Sequence, residues 1–262
     1  MVILKFIIVF TFFVLIKHRY FWKVPGRLRF TDPKPFLIAH RGFKKSFSEN
    51  SMGSFLDAQK FGFQWIEIDV ITTKDKEVIC SHNFDLEKET MGRGYITELE
   101  YNALNPIIAE HNSYFKGQDI LPKLLDVFKK LDSNIRINIE VKSPYAWDLR
   151  TARALSTILK RLPKKRIIIS SFNPFVILYF KIFHRQIPTG FLFQNLGYLW
   201  IVNWIHPSYI HPRADLLNDD LISYAKAKNL GINVWTVNNK DAINWCRNKQ
   251  VDGIITDLGV IK

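Results

Sequence analysis

Cysteine is nearly absent: Cys80 and Cys246 are the only two in 262 residues. They stand in no metal-binding spacing and need not pair, so a disulfide scaffold and a structural zinc site are both excluded, and buried free thiols in a reducing compartment are the simplest reading. Acidic residues are scarce too, 24 against 37 Lys and Arg. The resulting charge of +13 suits phosphate groups, polyanions or an anionic membrane surface. There is no zinc-finger spacing, RNP-like segment or Arg-rich helix, so nucleic acid is not an expected partner. Internal repeats and low-complexity tracts are also missing. A content of 47% hydrophobic and 14% aromatic residues excludes a disordered or fibrous chain. The length fits one catalytic domain of the α/β-barrel type.

Long apolar runs are lacking everywhere except at the start. "MVILKFIIVFTFFVLIKHRY" is apolar from Phe6 to Ile16, with Lys5 the one break before it. The run ends on Lys17, His18, Arg19 and Tyr20 rather than on small residues, so it offers no cleavage site of the secretory type. It reads as an uncleaved membrane anchor over 1–20 that crosses once with snorkelling flanks, followed by a basic linker over 21–34. Lys17, Arg19, Lys23, Arg27 and Arg29 place the following domain on the cytoplasmic side. The alternative is a buried or interfacial helix packed on the domain.

From residue 35 to 262, short β-branched runs alternate with amphipathic stretches, the rhythm of a parallel sheet with crossover helices. Nine strand candidates stand out: "FLIAH", "WIEIDV", "EVICSH", "IRINIEVK", "RIIISSF", "TGFLF", "YIHP", "INVWTV" and "GIITD". "TTKDK", between the second and third, is too short for a crossover and reads as a hairpin, leaving eight strands for a TIM-type (β/α)8 barrel. Helices are expected over 51–61, 121–131, 147–161, 174–183, 218–229 and 240–248, with Asn50 and Asn173 as caps. Residues 84–118, interrupted by Gly92, Gly94 and Gly117, read as a small insertion after the third strand candidate. The run 190–212, with Trp200, Trp204 and Tyr209, reads as a strand, helix and strand of the core, with a membrane-dipping loop as the alternative.

Chemistry gathers at strand ends. Glu67 and Asp69 are two apart on a strand and project into one space, where their repulsion is tolerable on a buried strand if a cation holds them. A solvated polar edge strand is the alternative. A hairpin pivoting between Lys74 and Asp75 would set His82 opposite Glu67. "IAHRG" ends a strand on His40 and Arg41, and "NIEVK" ends another on co-facial Glu140 and Lys142, a third oxygen ligand and a cation for an anionic substrate. Taken singly, His40 would be a structural histidine and Glu140 with Lys142 an ion pair. Their joint occurrence at successive strand ends points to a site.

These motifs, "AHRG", "SENS", "IEIDVITTKDKEVICSHN", "NIEVK", "SSF", "VWTVN" and "VDGIITD", resemble in content and order those of the glycerophosphodiester phosphodiesterases. The resemblance covers most of the chain and implies a phospholipase-C-like barrel. It implies His40 and His82 as an acid/base pair, and Glu67, Asp69 and Glu140 as ligands of one Ca²⁺ or Mg²⁺ ion. It implies Arg41 and Lys142 on the phosphate, with Glu49 lining the site and Trp235 walling the pocket. The substrate would be a glycerophosphodiester, cut to glycerol 3-phosphate and an alcohol; in the family the attacking oxygen can be the glycerol 2-hydroxyl. Two departures stand out. The family usually has His-Asp where this chain has His82 and Asn83, which removes an orienting carboxylate beside His82. It also has a glycine where this chain has Lys76. Competing readings are a membrane-anchored lysophospholipase D using the same site, a metal-independent phosphoinositide lyase, for which Glu67 and Asp69 would have no purpose, and a non-catalytic phosphate-binding barrel, against which both histidines argue.

Overall fold

A computed structural model describes residues 2–114 and 119–259. The strands are β1 Phe36–Ala39, β2 Trp65–Thr72, β3 Val78–Cys80, β4 Arg136–Val141, β5 Ile167–Ser171, β6 Thr189–Phe193, β7 Tyr209–Pro212, β8 Gly231–Val234 and β9 Gly253–Thr256. The helices are α1 Val2–Tyr20, α2 Met52–Lys60, α3 Tyr101–Tyr114, α4 Leu124–Lys130, α5 Arg150–Ile158, α6 Pro174–Phe183, α7 Leu199–Ile205, α8 Asp219–Lys228 and α9 Lys240–Asn248. Eight strands close a parallel ring in the order β1-β9-β8-β7-β6-β5-β4-β2, with β2 returning to β1. Both faces of such strands are covered, so their apolar runs are continuous rather than alternating. All nine strand candidates and the hairpin are present. The ends of the insertion and of the chain expected at 115–118, which include Gly117, and at 1 and 260–262 lie outside the described residues.

β3 stands outside the ring, antiparallel to β2, with Val70 opposite Cys80, Ile71 opposite Ile79 and Thr72 opposite Val78. The hairpin therefore pivots on Asp75, one half-step from the expected register, and His82 is not across from Glu67. The cause is a wider turn: the Thr73 amide donates to the Glu77 carbonyl at 2.9 Å, and the Lys76 amide to Thr73 at 3.0 Å. Lys76 sits at φ 71°, in the left-handed region where a Cβ is costly.

Asn173 caps α6 as expected, accepting from the Phe175 amide at 2.9 Å. Asn50 does not cap α2. Ser51 does, accepting from the Ser54 amide at 3.1 Å, while Asn50, at φ 53°, turns its amide towards β2. The insertion contains a helix, α3, and α7 bears out the strand, helix and strand reading of 190–212.

The expectation of a spanning anchor is not met. α1 is helical, but no helix among the described residues is long and apolar enough to cross a membrane. Lys5 and the Lys17–Arg19 end leave an uninterrupted apolar run of only eleven residues, Phe6–Ile16, well short of the ~20 that a span needs. Its C-terminal end is fixed to the barrel. The His18 and His206 rings lie 4.2 Å apart, Trp22 stacks on His206 at 4.3 Å, and Lys228 Nζ donates to the Tyr20 carbonyl. The stretch expected as a basic linker packs under the barrel: Trp22, Val24 and Leu28 are buried, Phe30 meets Trp65 edge-on, and Arg29 and Lys34 pair with Asp252.

Inside the barrel, an apolar layer of Phe36, Ile38, Trp65, Ile168, Tyr209 and Ile255 forms the floor. Above it the lining turns polar, with Asn138, Ser170, His211 and Asn233 all fully buried. His211 fits because its neighbour on β6 is Gly190, where a Cβ would come within 2.4 Å of Nε2. Burial pushes the His211 imidazole down to about 3.

Replacing Lys76 by Gly should raise stability by about 0.5–1 kcal/mol in urea unfolding by relieving the left-handed backbone, whereas Lys76→Ala, which keeps the Cβ, should not. A second outcome follows from His211, neutral when folded but free to protonate near 6.5 when unfolded. Its contribution is complete above about pH 6.5 and is lost as pH falls towards 3. Stability of the wild type should therefore drop more steeply over that window than that of His211→Gln, by up to about 1.4 kcal/mol per pH unit.

Candidate active site

The carboxyl ends of the strands converge on a cavity of about 260 Å³ lined by His40, Arg41, Glu67, His82, Glu140 and Lys142 on one side. Phe172, Leu192, Gln194 and Trp235 line the other. Six of the nine residues singled out by sequence thus share this half of the wall, and Trp235 faces them. Asp69, two residues further along β2 than Glu67, stays buried off the lining, and Glu49 lines a neighbouring cavity of about 540 Å³ while pairing with Arg41.

β2 and β4 run parallel in the register Glu67–Asn138 and Asp69–Glu140, so alternation alone aims Glu67, Asp69 and Glu140 at one point. Their oxygens come within 4.8 Å of one another, and the residues are only 2%, 1% and 8% exposed. Burial, together with the charges of Asp69 and Glu140, pushes Glu67 well above the ordinary carboxylate range. Burial also raises Glu140, against the pull of Lys142. For Asp69 burial acts the same way, but Lys142 and Arg41 outweigh it and hold the group low.

Two cations answer these charges. Arg41 Nε lies 3.1 Å from Asp69, its Nη1 donates to Glu49 at 2.5 Å, and its backbone amide donates to Glu67 Oε2 at 2.9 Å. That reach depends on the turn after β1, where Arg41 and Gly42 are both left-handed, at φ 55° and 81°. At Gly42 a Cβ would strike Ser54. Lys142 Nζ donates to Glu140 at 2.9 Å and lies 3.4 Å from Asp69; although burial opposes its charge, these two carboxylates keep it protonated well beyond its ordinary range.

Glu67 Oε1 is buried with no protein donor. An unpaired carboxylate oxygen at the meeting point of three buried carboxylates is what an oxygen-ligated cation requires, and the donor set holds no sulfur or imidazole to favour zinc. The residues present therefore fit a hard divalent ion.

The two histidines are held differently. His40 Nδ1 lies 2.9 Å from Asp257 Oδ1, and although burial favours the neutral acid, the hydrogen bonds from His40 and Lys44 hold Asp257 well below the carboxylate range. His82 Nδ1 lies 3.2 Å from the Asn83 side-chain oxygen. Burial, then the Lys142 charge, pulls its imidazole down.

Several residues of this site were not singled out by sequence. Asp257 was legible, since it ends the strand run "GIITD" in the same kind of position as His40. Asn50 was mistaken for a cap; its Nδ2 donates to Asp69 at 3.0 Å and its Oδ1 accepts from the Asp69 amide at 3.1 Å. Glu89, whose carboxyl is raised chiefly by burial, comes from the insertion, and no local pattern marked it.

Residues 40–258 match the pattern of the glycerophosphoryl diester phosphodiesterase family. A glycerophosphodiester phosphodiesterase of Caldanaerobacter subterraneus subsp. tengcongensis is 30% identical over 230 residues, which is 86% of this chain and 94% of that protein. A human lysophospholipase D is 32% identical over 142 residues, 50% of this chain and 43% of its own. Among solved structures, a phosphodiesterase of Oleispira antarctica in complex with the product sn-glycerol-3-phosphate superimposes with a TM-score of 0.77. It covers 85% of this chain and 93% of its own; at 23% identity it bears on the fold alone. A family match over residues 40–258, together with two histidines beside a cluster of three buried carboxylates, leaves one conclusion: the chain belongs to the glycerophosphoryl diester phosphodiesterase family and is a phosphodiester hydrolase.

Proposed function

We propose that the cavity hydrolyses glycerophosphodiesters to glycerol 3-phosphate and an alcohol, with Glu67, Asp69 and Glu140 holding one Ca²⁺ or Mg²⁺ ion. The observation that carries this is a small cavity lined by two imidazoles, Arg41, Lys142, Glu67 and Glu140, the last two converging with buried Asp69. Held there, such an ion would supply neutralisation of the charge that builds on the phosphoryl oxygens. Arg41 and Lys142 fix the non-bridging oxygens, and both stay charged at any working pH. One of His40 and His82 takes the proton from the attacking oxygen, and the other gives a proton to the alkoxide that leaves phosphorus, so that two protons move and none is lost. Asp257 holds His40 in one tautomer with Nε2 free. Glu49 braces Arg41 from behind.

The opposite wall decides what else enters. Phe172 and Trp235 meet edge-on at 5.4 Å beside Leu192, an apolar surface for the non-reacting part of the substrate. At about 260 Å³ the cavity is smaller than the roughly 300–1,000 Å³ of sites for drug-sized ligands, which favours a headgroup. A lysophospholipase D activity is the second reading, favoured by the apolar wall and by the likeness to the human enzyme. A panel of glycerophosphocholine, glycerophosphoethanolamine, glycerophosphoinositol and the matching lysolipids, each with EDTA and with either ion restored, separates the two. We also place the catalytic unit within residues 35–262, because every residue of the site lies there.

Glu67→Gln, Asp69→Asn and Glu140→Gln should each abolish divalent-ion-dependent turnover and weaken calorimetric Ca²⁺ or Mg²⁺ binding. Full activity of any of them in EDTA would sink the metal site. His40→Ala and His82→Ala should each lower turnover by roughly 10² to 10⁴ with ion affinity retained, and the double variant should be no worse than the poorer single. A nitrophenyl phosphodiester, whose leaving group needs little protonation, should rescue only the variant that lacks the acid. Identical responses of both variants would rule out a division of labour.

A further inference from the structure

We infer that Glu89 is a positioning residue for His82, acting through the Asn83 amide to replace the carboxylate that a His-Asp pair would provide directly. The inference rests on the acid/base reading of His82. Asn83 Nδ2 donates to Glu89 Oε1 at 2.7 Å, and Asn83 Oδ1 lies 3.2 Å from His82 Nδ1. An amide has distinct ends. With its NH₂ committed to a carboxylate, which when ionised only accepts, the oxygen is the end left to face the imidazole, so Nδ1 must carry the proton. The lone pair is thereby assigned to Nε2, the nitrogen left for chemistry. Asn83 alone could not do this, because either end of a free amide can meet either tautomer.

The carboxylate is itself held. The Ser81 hydroxyl lies 3.1 Å from Glu89 Oε2 and 2.9 Å from the Asn83 carbonyl, tying the relay to the backbone leaving β3. Asn83 and Glu89 also line the neighbouring cavity, so the relay forms a wall between the two spaces. Across the site, His40 makes the direct contact with Asp257. The two imidazoles are thus oriented by the same chemistry, one at first hand and one through an amide, with the second carboxylate supplied by the insertion.

Glu49, His82 and Glu89 could also converge on a cation. A relay and a second cation site make opposite claims about the same side chain, and the experiment separates them.

The test uses the full-length enzyme with saturating Ca²⁺ or Mg²⁺ and compares Glu89→Gln, Asn83→Asp and the double variant. Glu89→Gln should lower kcat on glycerophosphocholine on the order of 10- to 100-fold, the range found when an orienting outer partner is removed, with KM and ion stoichiometry unchanged. In the Asn83→Asp background the same change at position 89 should cost nothing, because the imidazole then meets a carboxylate directly. Nitrogen NMR should show His82 protonated on Nδ1 in the wild type and a mixture of tautomers in Glu89→Gln. An undiminished kcat in Glu89→Gln, equal losses in both backgrounds, or one fewer bound ion would overturn the relay. Should His82→Ala itself be harmless, the acid/base reading falls; should His82→Ala be crippling while Glu89→Gln is silent, the relay alone falls. If Glu89→Gln does not fold, the wild-type tautomer still decides, since a neutral imidazole protonated on Nε2 with Nδ1 bare would refute the arrangement.

Discussion

Three carboxylates meeting under one percent to eight percent exposure is the constraint around which this barrel is arranged. Like charges at such separation repel strongly in a medium of low dielectric, and the neighbouring elements are disposed to offset that repulsion. Arg41 comes from the turn after β1, Lys142 from the end of β4 and the Asn50 amide from the edge of α2, all directed at Asp69. Glu67 Oε1, at the centre, is buried without a protein donor. The surrounding protein charges thus leave the site electrostatically incomplete in one direction, that of a hard cation.

Arg41 and Lys142 carry a second consequence. Each is already engaged by carboxylates, so neither is free to swing towards bulk water, and an anion entering the cavity would meet charges of fixed position. Preorganised charge of this kind does not have to be reoriented as the transition state forms, which is why it is effective in a water-poor cavity. The histidines are fixed by the same logic, through groups on their Nδ1 side that leave the other nitrogen exposed to the cavity.

Much of this was legible in the sequence, because strand residues two apart share a face. Glu67 with Asp69, and Glu140 with Lys142, could be placed together from alternation alone, and short apolar runs, most of them β-branched, marked the strands. Failures came where a turn or tertiary contact overrode local pattern. The register of β2 and β3 depended on a turn one residue wider than assumed, with Lys76 in a conformation that favours glycine. Asn50 has the chemistry of a helix cap, yet the buried edge of β2 claimed its amide and left capping to Ser51. Glu89 could not be found at all, since its meaning arises from contact with Asn83 across the start of the insertion. At the amino terminus, hydrophobicity was read correctly as a helix but not as a span, because the charges at Lys5 and Lys17 shorten the apolar run.

β1 pairs with β2 only at Ile38–Trp65 and Ala39–Ile66, while β3 takes up the same edge of β2 from Val70 onward. Between these two zippers the barrel has a seam, over residues 67–69, where no strand is bonded to that edge. At Asp69 that edge is closed by the Asn50 side chain on the Asp69 amide and the Ser81 amide on the Asp69 carbonyl, both from residues outside the strands, while the Arg41 amide holds the Glu67 carboxylate beside it. The cluster of carboxylates is therefore built into the suture of the wall rather than laid on a finished wall. Chain closure and the placing of Glu67 and Asp69 draw on the same few hydrogen bonds, so a barrel that shuts correctly has, by that act, already aimed both groups.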